Sequence, residues 1–386
     1  MTVDPQSAAT ICFVGLSNLP VLAREYGRHG VGGAELQQTL LAKSLAARGF
    51  AVSMVVGDYG QPDGAVWDGI KTYKAYRPDA GLPLLRFVHP RWTQLWAAMK
   101  RAGADIYYTS CAGALVGQVA LFARLHGAKF IFRVASNSDC DPQALLIRYR
   151  RDKSLYRYGL QRADVVLAQT PQQQQALLEN FARSSRVVAS LTDTGGRRPA
   201  FAERDIDVLW VGNMRALKRP ALLLEAARKL PDLRFHIIGG PMPGAESFFE
   251  SIRAAASQLA NVHFHGAVPY HEVGEFYERA RVFVGTSAIE GFPNTYLQAW
   301  SRGTPVVAFL DPEHLIARHG TGRAVTDVAD MCAAIVKLRS DPREWEVASL
   351  RSREYMDHRF NEARMVSPYV EALSSLYERA APVRAS

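Results

Sequence analysis

Short apolar runs recur along this chain, and each is followed by a longer stretch with helical spacing. TICFVGL (10–16), AVSMVVGD (51–58), DIYYTS (105–110), KFIFRV (129–134) and DVVLAQ (164–169) are the first such runs. Helical periodicity fills 34–49, 91–102 and 143–162 between them. The runs do not alternate polar with apolar residues, so both faces of each strand are expected to be buried. That condition is met by a parallel sheet covered with helices on both sides. At 192–205 (TDTGGRRPAFAERD) the periodicity stops and the texture turns polar, as in an interdomain connection. The alternation then restarts with DVLWVG (207–212), RFHIIGG (234–240), NVHFHG (261–266), RVFVGTS (281–287) and PVVAFL (305–310). A chain of 386 residues is long for one core, which also favours two domains. The expected fold is therefore α/β with two Rossmann-like doubly wound domains. They are expected over 1–195 and 206–360, with a linker over 196–205 and a C-terminal helix and tail over 361–386 that crosses back.

Composition narrows the partners. A formal net charge of +9 favours anionic ones: acidic lipid surfaces, phosphorylated substrates or nucleic acid. Nucleic acid is disfavoured, because the basic residues have little aromatic interleaving and no recognition motif is present. The four cysteines, Cys12, Cys111, Cys140 and Cys332, are scattered and form no CxxC pair, which fits a reducing compartment. MTVDPQSAAT has no basic region ahead of an apolar stretch, so no signal peptide is expected and the location reads as cytoplasmic. Residues 106–123 are uncharged over a spanning length, yet their Ser-Cys-Ala-Gly turn predicts a buried strand followed by a buried helix.

In doubly wound sheets ligands bind beyond the carboxyl ends of the strands, so motifs placed after strands carry the most weight. GVGGAE (30–35) opens the first long helix; Gly32 and Gly33 let the backbone approach a ligand, and the helix start offers free N–H groups to an anion. It is not a dinucleotide fingerprint, because the loop is long and no well-placed acid ends the second strand. WVGNMRALKRP (210–220) gathers Arg215, Lys218 and Arg219 ahead of Pro220, an arrangement suited to a diphosphate. In EGFPNTYLQAW (290–300), Glu290 precedes a tight turn at Gly291, and Asn294 or Thr295 is placed to cap the helix that follows. Asp139-Cys140-Asp141 matches a D-x-D metal motif by letter, but Asp141-Pro142 also reads as a helix start. His263 and His265 share a strand face with no third ligand evident, so no metal is expected.

Together these residues resemble the retaining nucleotide-sugar glycosyltransferases of the GT-B fold, family 4. The resemblance rests on the Gly-Gly-Ala-Glu loop, the basic loop with Lys218, the glycines at 239–240 and the region from Glu290 to position 298. It covers most of the second half and less of the first. It implies two Rossmann-like domains facing across a cleft, with the donor nucleotide held mainly by the second. On that reading Glu290 binds the sugar hydroxyls of the donor, and Gly291 and Phe292 line the sugar and phosphate. Asn294 and Thr295 present N–H groups to the diphosphate, Lys218 neutralises it, and Val268 lies where the backbone reads the base. Position 298 departs from the pattern: Gln298 stands where the family has a second glutamate for the ribose. An amide still accepts a hydrogen bond, but the charge is gone. Asn213 occupies the usual arginine position, leaving Arg215 to substitute. The family's histidine in the first domain is absent, and in the loop ASNSDCD (135–141) Asn137 or Asp139 takes its place toward the acceptor.

The activity implied is transfer of a sugar, with retention, from a nucleotide diphosphate donor to an acceptor hydroxyl in polysaccharide or glycolipid assembly. The donor is a substrate, and no cofactor is expected. Arg148, Arg150, Arg151, Lys153, Arg157 and Arg162 crowd one helical stretch, which suits a lipid-linked or saccharide acceptor and peripheral contact with an anionic membrane. Two other readings remain open from the residues: a sugar-nucleotide epimerase of similar architecture, and a non-catalytic donor-binding partner subunit.

Overall fold

The computed structural model describes residues 9–27, 32–82, 85–242, 244–360 and 362–377. Its first sheet contains β1 (Ile11–Val14), β2 (Val52–Val56), β3 (Val66–Trp67), β4 (Ile70–Lys74), β5 (Ile106–Ser110), β6 (Lys129–Arg133), β7 (Val165–Ala168) and β8 (Arg186–Val187). Their order is β3-β4-β2-β1-β5-β6-β7-β8. Every pairing is parallel except β3 with β4. The apolar runs read from the sequence are the buried central strands. The β3–β4 hairpin was not among the expected strands. It turns through Asp68 and Gly69, both at positive φ (49° and 77°), the backbone a two-residue hairpin loop requires.

The second sheet contains β9 (Ile206–Val211), β10 (Phe235–Ile238), β11 (Val262–Gly266), β12 (Ala280–Gly285), β13 (Val306–Ala308) and β14 (Gly322–Ala324). It is wholly parallel, in the order β11-β10-β9-β12-β13-β14. The fold class is thus two doubly wound α/β units. Each has its own apolar core, one around Tyr107, Phe122, Phe132 and Tyr156, the other around Trp210, Phe235, Val284 and Trp345.

The chain's two compact units divide between Leu191 and Thr192, and from Ala363 onward the chain belongs to the first unit again. The helix Glu362–Tyr377 buries Tyr369, Ala372, Leu373 and Leu376, and Tyr369 Oη donates to the Ala189 carbonyl at 2.9 Å. The polar stretch read as a linker is no loose tether. It is fastened to the second unit: Arg198 makes a two-pronged pair with Asp357 (2.9 and 2.7 Å), and Arg302 donates to the Asp193 carbonyl at 3.0 Å. Arg204 is buried and donates to four backbone carbonyls, those of Pro199, Tyr277, Ala280 and Arg302, and to Thr304 Oγ1. Burial pulls its pKa down to about 9, and its guanidinium lies 4.8 Å over the Trp345 ring.

One local expectation holds and two are corrected. Residues 106–123 form β5, a turn and the helix Ala114–Leu125, and no described helix is long and apolar enough to cross a membrane. The helix expected from 143 begins at Arg150. Asp141 does not cap it; its Oδ1 accepts from the Gln143 N–H at 2.8 Å and closes a turn. In the helix Asn294–Ser301 the cap position belongs to Pro293, with no side-chain cap, so Asn294 and Thr295 are its first two residues.

Candidate active site

In the second sheet the strand order reverses between β9 and β12, and this reversal opens a crevice at their carboxyl ends. The two loops leaving that point are stitched together. The Ala288 N–H donates to the Leu217 carbonyl at 2.9 Å. Thr286 Oγ1 donates to the Lys218 carbonyl and accepts from Trp210 Nε1 at 2.9 Å. Arg219 donates to the Thr286 and Ser287 carbonyls (2.7 and 3.3 Å), with its guanidinium 4.8 Å over Phe309. Arg219 therefore serves the framework. Lys218, one residue earlier, forms an ion pair with Glu290, and both side chains keep partial exposure, 28% and 18%. Arg215 is exposed on the same loop.

The neighbouring strand ends complete the rim. A Cβ on Gly239 would collide with the Gly212 carbonyl, and one on Gly240 would lie 2.9 Å from the Ala267 Cβ, so both positions need glycine for close packing. Met214 N donates to the Gly240 carbonyl at 3.2 Å, bringing the loop with Asn213 against the end of β10. Val268 follows β11 and is half-buried. Beyond Glu290, Gly291 is buried, while Phe292, Asn294, Thr295 and Gln298 are half-buried at the start of the helix Asn294–Ser301. At that start the Tyr296 N–H already donates to the Pro293 carbonyl at 3.0 Å, and the positive end of the helix lies at Asn294 and Thr295. Gln298 hydrogen-bonds the hydroxyl of Tyr270, whose pKa burial pushes up to about 12. Tyr296 is raised by burial first and then by the Glu290 carboxylate; its hydroxyl donates to the Leu310 carbonyl at 2.9 Å. So Glu290, Lys218, Arg215, Asn213, Val268, Gly291, Phe292, Asn294, Thr295 and Gln298 all belong to loops or a helix start at the carboxyl ends of β9, β11 and β12.

The first unit's residues divide differently. Gly32 is the N-cap and Gly33 the first residue of the helix Gly33–Ala47; Gly30 and Val31 of the motif lie outside the described residues. Asn137 is half-buried, and its Oδ1 accepts from Gln173 Nε2 at 3.0 Å. Asp139 is buried, and its Oδ2 accepts from the N–H groups of Ala135 (2.8 Å), Ser136 (3.3 Å) and Ala112 (3.3 Å). It completes a capping box with Ser136, and burial pushes its pKa up to about 6. The reading of Asp139 as an acceptor ligand is therefore replaced by a structural one. Its carboxylate welds the β5 and β6 loops together. Sequence reasoning did not find the buried polar tier at the reversal point of the first sheet, between β1 and β5. There Gln38 Nε2 donates to Ser110 Oγ at 3.0 Å and Asn18 Nδ2 donates to Gln38 Oε1 at 3.4 Å. Glutamines on a helix carry no motif; only their position on its buried face gives them away.

A third imidazole does accompany His263 and His265. His236 on β10 places Nδ1 3.0 Å from His265 Nε2, with ring centroids 4.7 Å from His263 and 5.0 Å from His265. Burial, then the two neighbouring imidazoles, pull the His236 pKa down to about 4. Among the described residues no group of three or more His, Cys, Asp or Glu side chains is placed to hold a metal ion.

The comparisons with known proteins agree with this geometry. The family model described as glycosyl transferases group 1 matches residues 205–341, and the glycosyl transferase 4-like domain matches 32–190. This chain belongs to the group 1 glycosyltransferases. Among curated relatives, a D-inositol 3-phosphate glycosyltransferase of Thermomonospora curvata is 31% identical over 154 residues, 36% of this chain and 36% of that protein. The O-antigen biosynthesis glycosyltransferase WbnH of Escherichia coli is 26% identical over 148 residues, 37% of this chain and 41% of its own length. The chain thus matches little more than a third of these relatives. Among solved structures, sucrose-phosphate synthase from Thermosynechococcus elongatus has a TM-score of 0.77 at 20% identity, covering 96% of this chain and all of that one. Anabaena HepE, in complex with UDP and glucose, has a TM-score of 0.72 at 16% identity, covering 95% and 100%. At these identities the solved structures establish the fold, a GT-B arrangement of two α/β domains.

Proposed function

We propose that this group 1 glycosyltransferase moves a sugar from a nucleotide diphosphate donor to an acceptor hydroxyl, with retention at the anomeric carbon. The observation that carries the reading is the Lys218–Glu290 pair, half-open at the strand reversal beside the start of the helix Asn294–Ser301. Without ligand each charge answers the other. A bound donor offers each a better partner, its diphosphate for the ammonium and its sugar hydroxyls for the carboxylate.

The chemistry asks for this arrangement. As the bond between the anomeric carbon and the β-phosphate oxygen breaks, its electron pair goes to the diphosphate, whose charge grows. Lys218, Arg215 and the N–H groups at Asn294 and Thr295 are fixed donors aimed at that charge, so the reading calls for no metal. The acceptor oxygen bonds the anomeric carbon, and its proton passes to the departing phosphate oxygen alongside. Gly291 and Phe292 line the sugar and phosphate, Val268 serves the base, Asn213 is a donor contact at the position of the family's arginine, and Gln298 serves the ribose as a neutral hydrogen-bonding group. Gly32 and Gly33 are donor-side contacts, and Asn137 is an acceptor-side one. HepE, solved with UDP and glucose, favours UDP as the nucleotide and a hexose as the sugar. The inositol phosphate and O-antigen enzymes among the relatives favour a place in glycolipid or polysaccharide assembly, at the inner face of a membrane.

Calorimetric titration with UDP, GDP and ADP tests the donor site. One nucleotide should bind, and Lys218→Ala should weaken it by about 10- to 100-fold, the worth of a charge-assisted contact. Absence of binding to all three would overturn the reading. Product analysis with a labelled nucleotide sugar then distinguishes transfer from epimerisation or from binding without turnover.

A further inference from the structure

Leu82, Leu85, Val88, Leu146 and Tyr149 are each between 53% and 68% exposed. They are five of the thirteen large hydrophobic side chains that stand exposed among the described residues, and they fall in two short segments. The segments meet: the Arg151 guanidinium lies 3.3 Å over the Phe87 ring and 5.9 Å from that of Tyr149. Such a cluster of apolar side chains on one surface calls for a partner.

The patch is built rather than loose. Phe87 stands edge-on to Trp92 (5.6 Å), Trp92 to Trp96 (5.7 Å), and Trp96 to Phe122 in the core (5.7 Å). This aromatic ladder anchors the segment that carries Leu85 and Val88. The charges around it are mostly positive. Residues 146–157 hold five cations, Arg148, Arg150, Arg151, Lys153 and Arg157, and one acid, Asp152, which is paired with Arg151 at 2.8 Å. Arg150 and Arg151 occupy the first turn of the helix Arg150–Arg162. Cations there oppose the positive end of the helix dipole, so helix stability does not account for them. An external anion does. The patch also has a meaningful position. β4 and β6 run parallel, so the segments that follow them leave the same edge of the first sheet as the helix start at Gly33 and the loop with Asn137.

We propose that this face docks the protein on an anionic lipid surface, with Leu82, Leu85, Val88, Leu146 and Tyr149 entering the acyl boundary and Arg86, Arg148 and Arg150 meeting lipid phosphates. Apolar insertion and basic attraction together supply the two signals that interfacial binding needs. The inference rests on the reading of the chain as a glycosyltransferase only in its consequence: a lipid-linked acceptor would then be met beside the loop with Asn137.

The test is co-sedimentation of the full chain with phosphatidylcholine vesicles, with and without about a third phosphatidylglycerol. Binding should require the anionic lipid and weaken as salt rises. Leu85→Ser with Val88→Ser, and separately Arg148→Ser with Arg150→Ser, should each lower the partition coefficient at least about tenfold, the scale of one or two buried side chains or lipid-facing charges. Val347→Ser with Leu350→Ser, an exposed apolar pair in the second unit, should leave it unchanged. Circular dichroism checks that each variant is folded. No sedimentation with anionic vesicles, or binding that survives both patch variants, overturns the proposal; the first outcome would leave the face to a protein partner. UDP titration of the same samples reports separately on the donor site, so the two readings can fail independently.

Discussion

Glu290 and Asp139 both lie in loops that leave the carboxyl edge of a parallel sheet, yet one is held by a cation and the other by backbone. Glu290 pairs with Lys218 and keeps contact with solvent, whereas Asp139 is buried under three N–H groups. A carboxylate paired with a flexible ammonium can exchange it for a ligand. One that satisfies backbone donors cannot leave without exposing them. The partner, rather than the acid, decides which carboxylate is available for chemistry.

The widest separation is expected in turnover. Lys218→Ala should lower the rate of sugar transfer by about 10²–10³-fold, the cost of removing one donor aimed at developing charge, and Glu290→Ala should act in the same direction. Asp139→Ala should leave the turnover per folded molecule unchanged; a matching loss there would break the contrast. Next in size is stability. Asp139→Ala orphans the N–H groups of Ala112, Ala135 and Ser136 and should destabilise the first unit by about 2–3 kcal/mol in denaturant unfolding, with UDP affinity preserved.

The pH dependence sharpens the contrast between units, because its two contributions have opposite signs. The Asp139 pKa is raised in the folded state to about 6, above its unfolded value near 4. Its contribution is therefore fully present below about pH 4 and declines as pH rises through 6, by roughly 3 kcal/mol; Asp139→Asn should abolish that slope. His236 is lowered to about 4, below its unfolded value near 6.5. Its contribution is present above about pH 6.5 and is lost as pH falls toward 4. Arg279 adds to the depression and Asp205 opposes it. Half-exposure limits the effect to about 1 kcal/mol, and His236→Asn should remove it from the second unit's acid unfolding.

The sheets were legible because their strands are buried on both faces. A run such as KFIFRV has one interpretation at that length, and it forms β6 in the core. The β3–β4 hairpin escaped although Asp68-Gly69 is a recognisable turn pair, since β4 alternates buried Ile70 and Thr72 with solvent-facing neighbours. The loops around Lys218 and Glu290 were legible as chemistry because charge gathers there next to glycine and a helix start. Asp139 misled because a short acidic motif looks alike whether it meets a ligand or its own backbone; only the fold brings the Ala112 N–H to it across 27 residues of sequence. The start of the helix at Arg150 was obscured for a similar reason, the Asp141-Pro142 pair closing a turn instead of opening a helix.

The return of the helix Glu362–Tyr377 to the first unit sets an order of events during synthesis. The strands of the first unit leave the ribosome before those of the second, but Met365, Val366, Tyr369 and Leu373, which are buried in it, emerge after both. The second unit, continuous from Thr192 to Glu362, has all its parts before the first does. The usual order for a multidomain chain, N-terminal domain first, is thus reversed for these two units. A nascent chain stalled before residue 363 would carry a finished second unit and an apolar scar on the first, a natural target for chaperones.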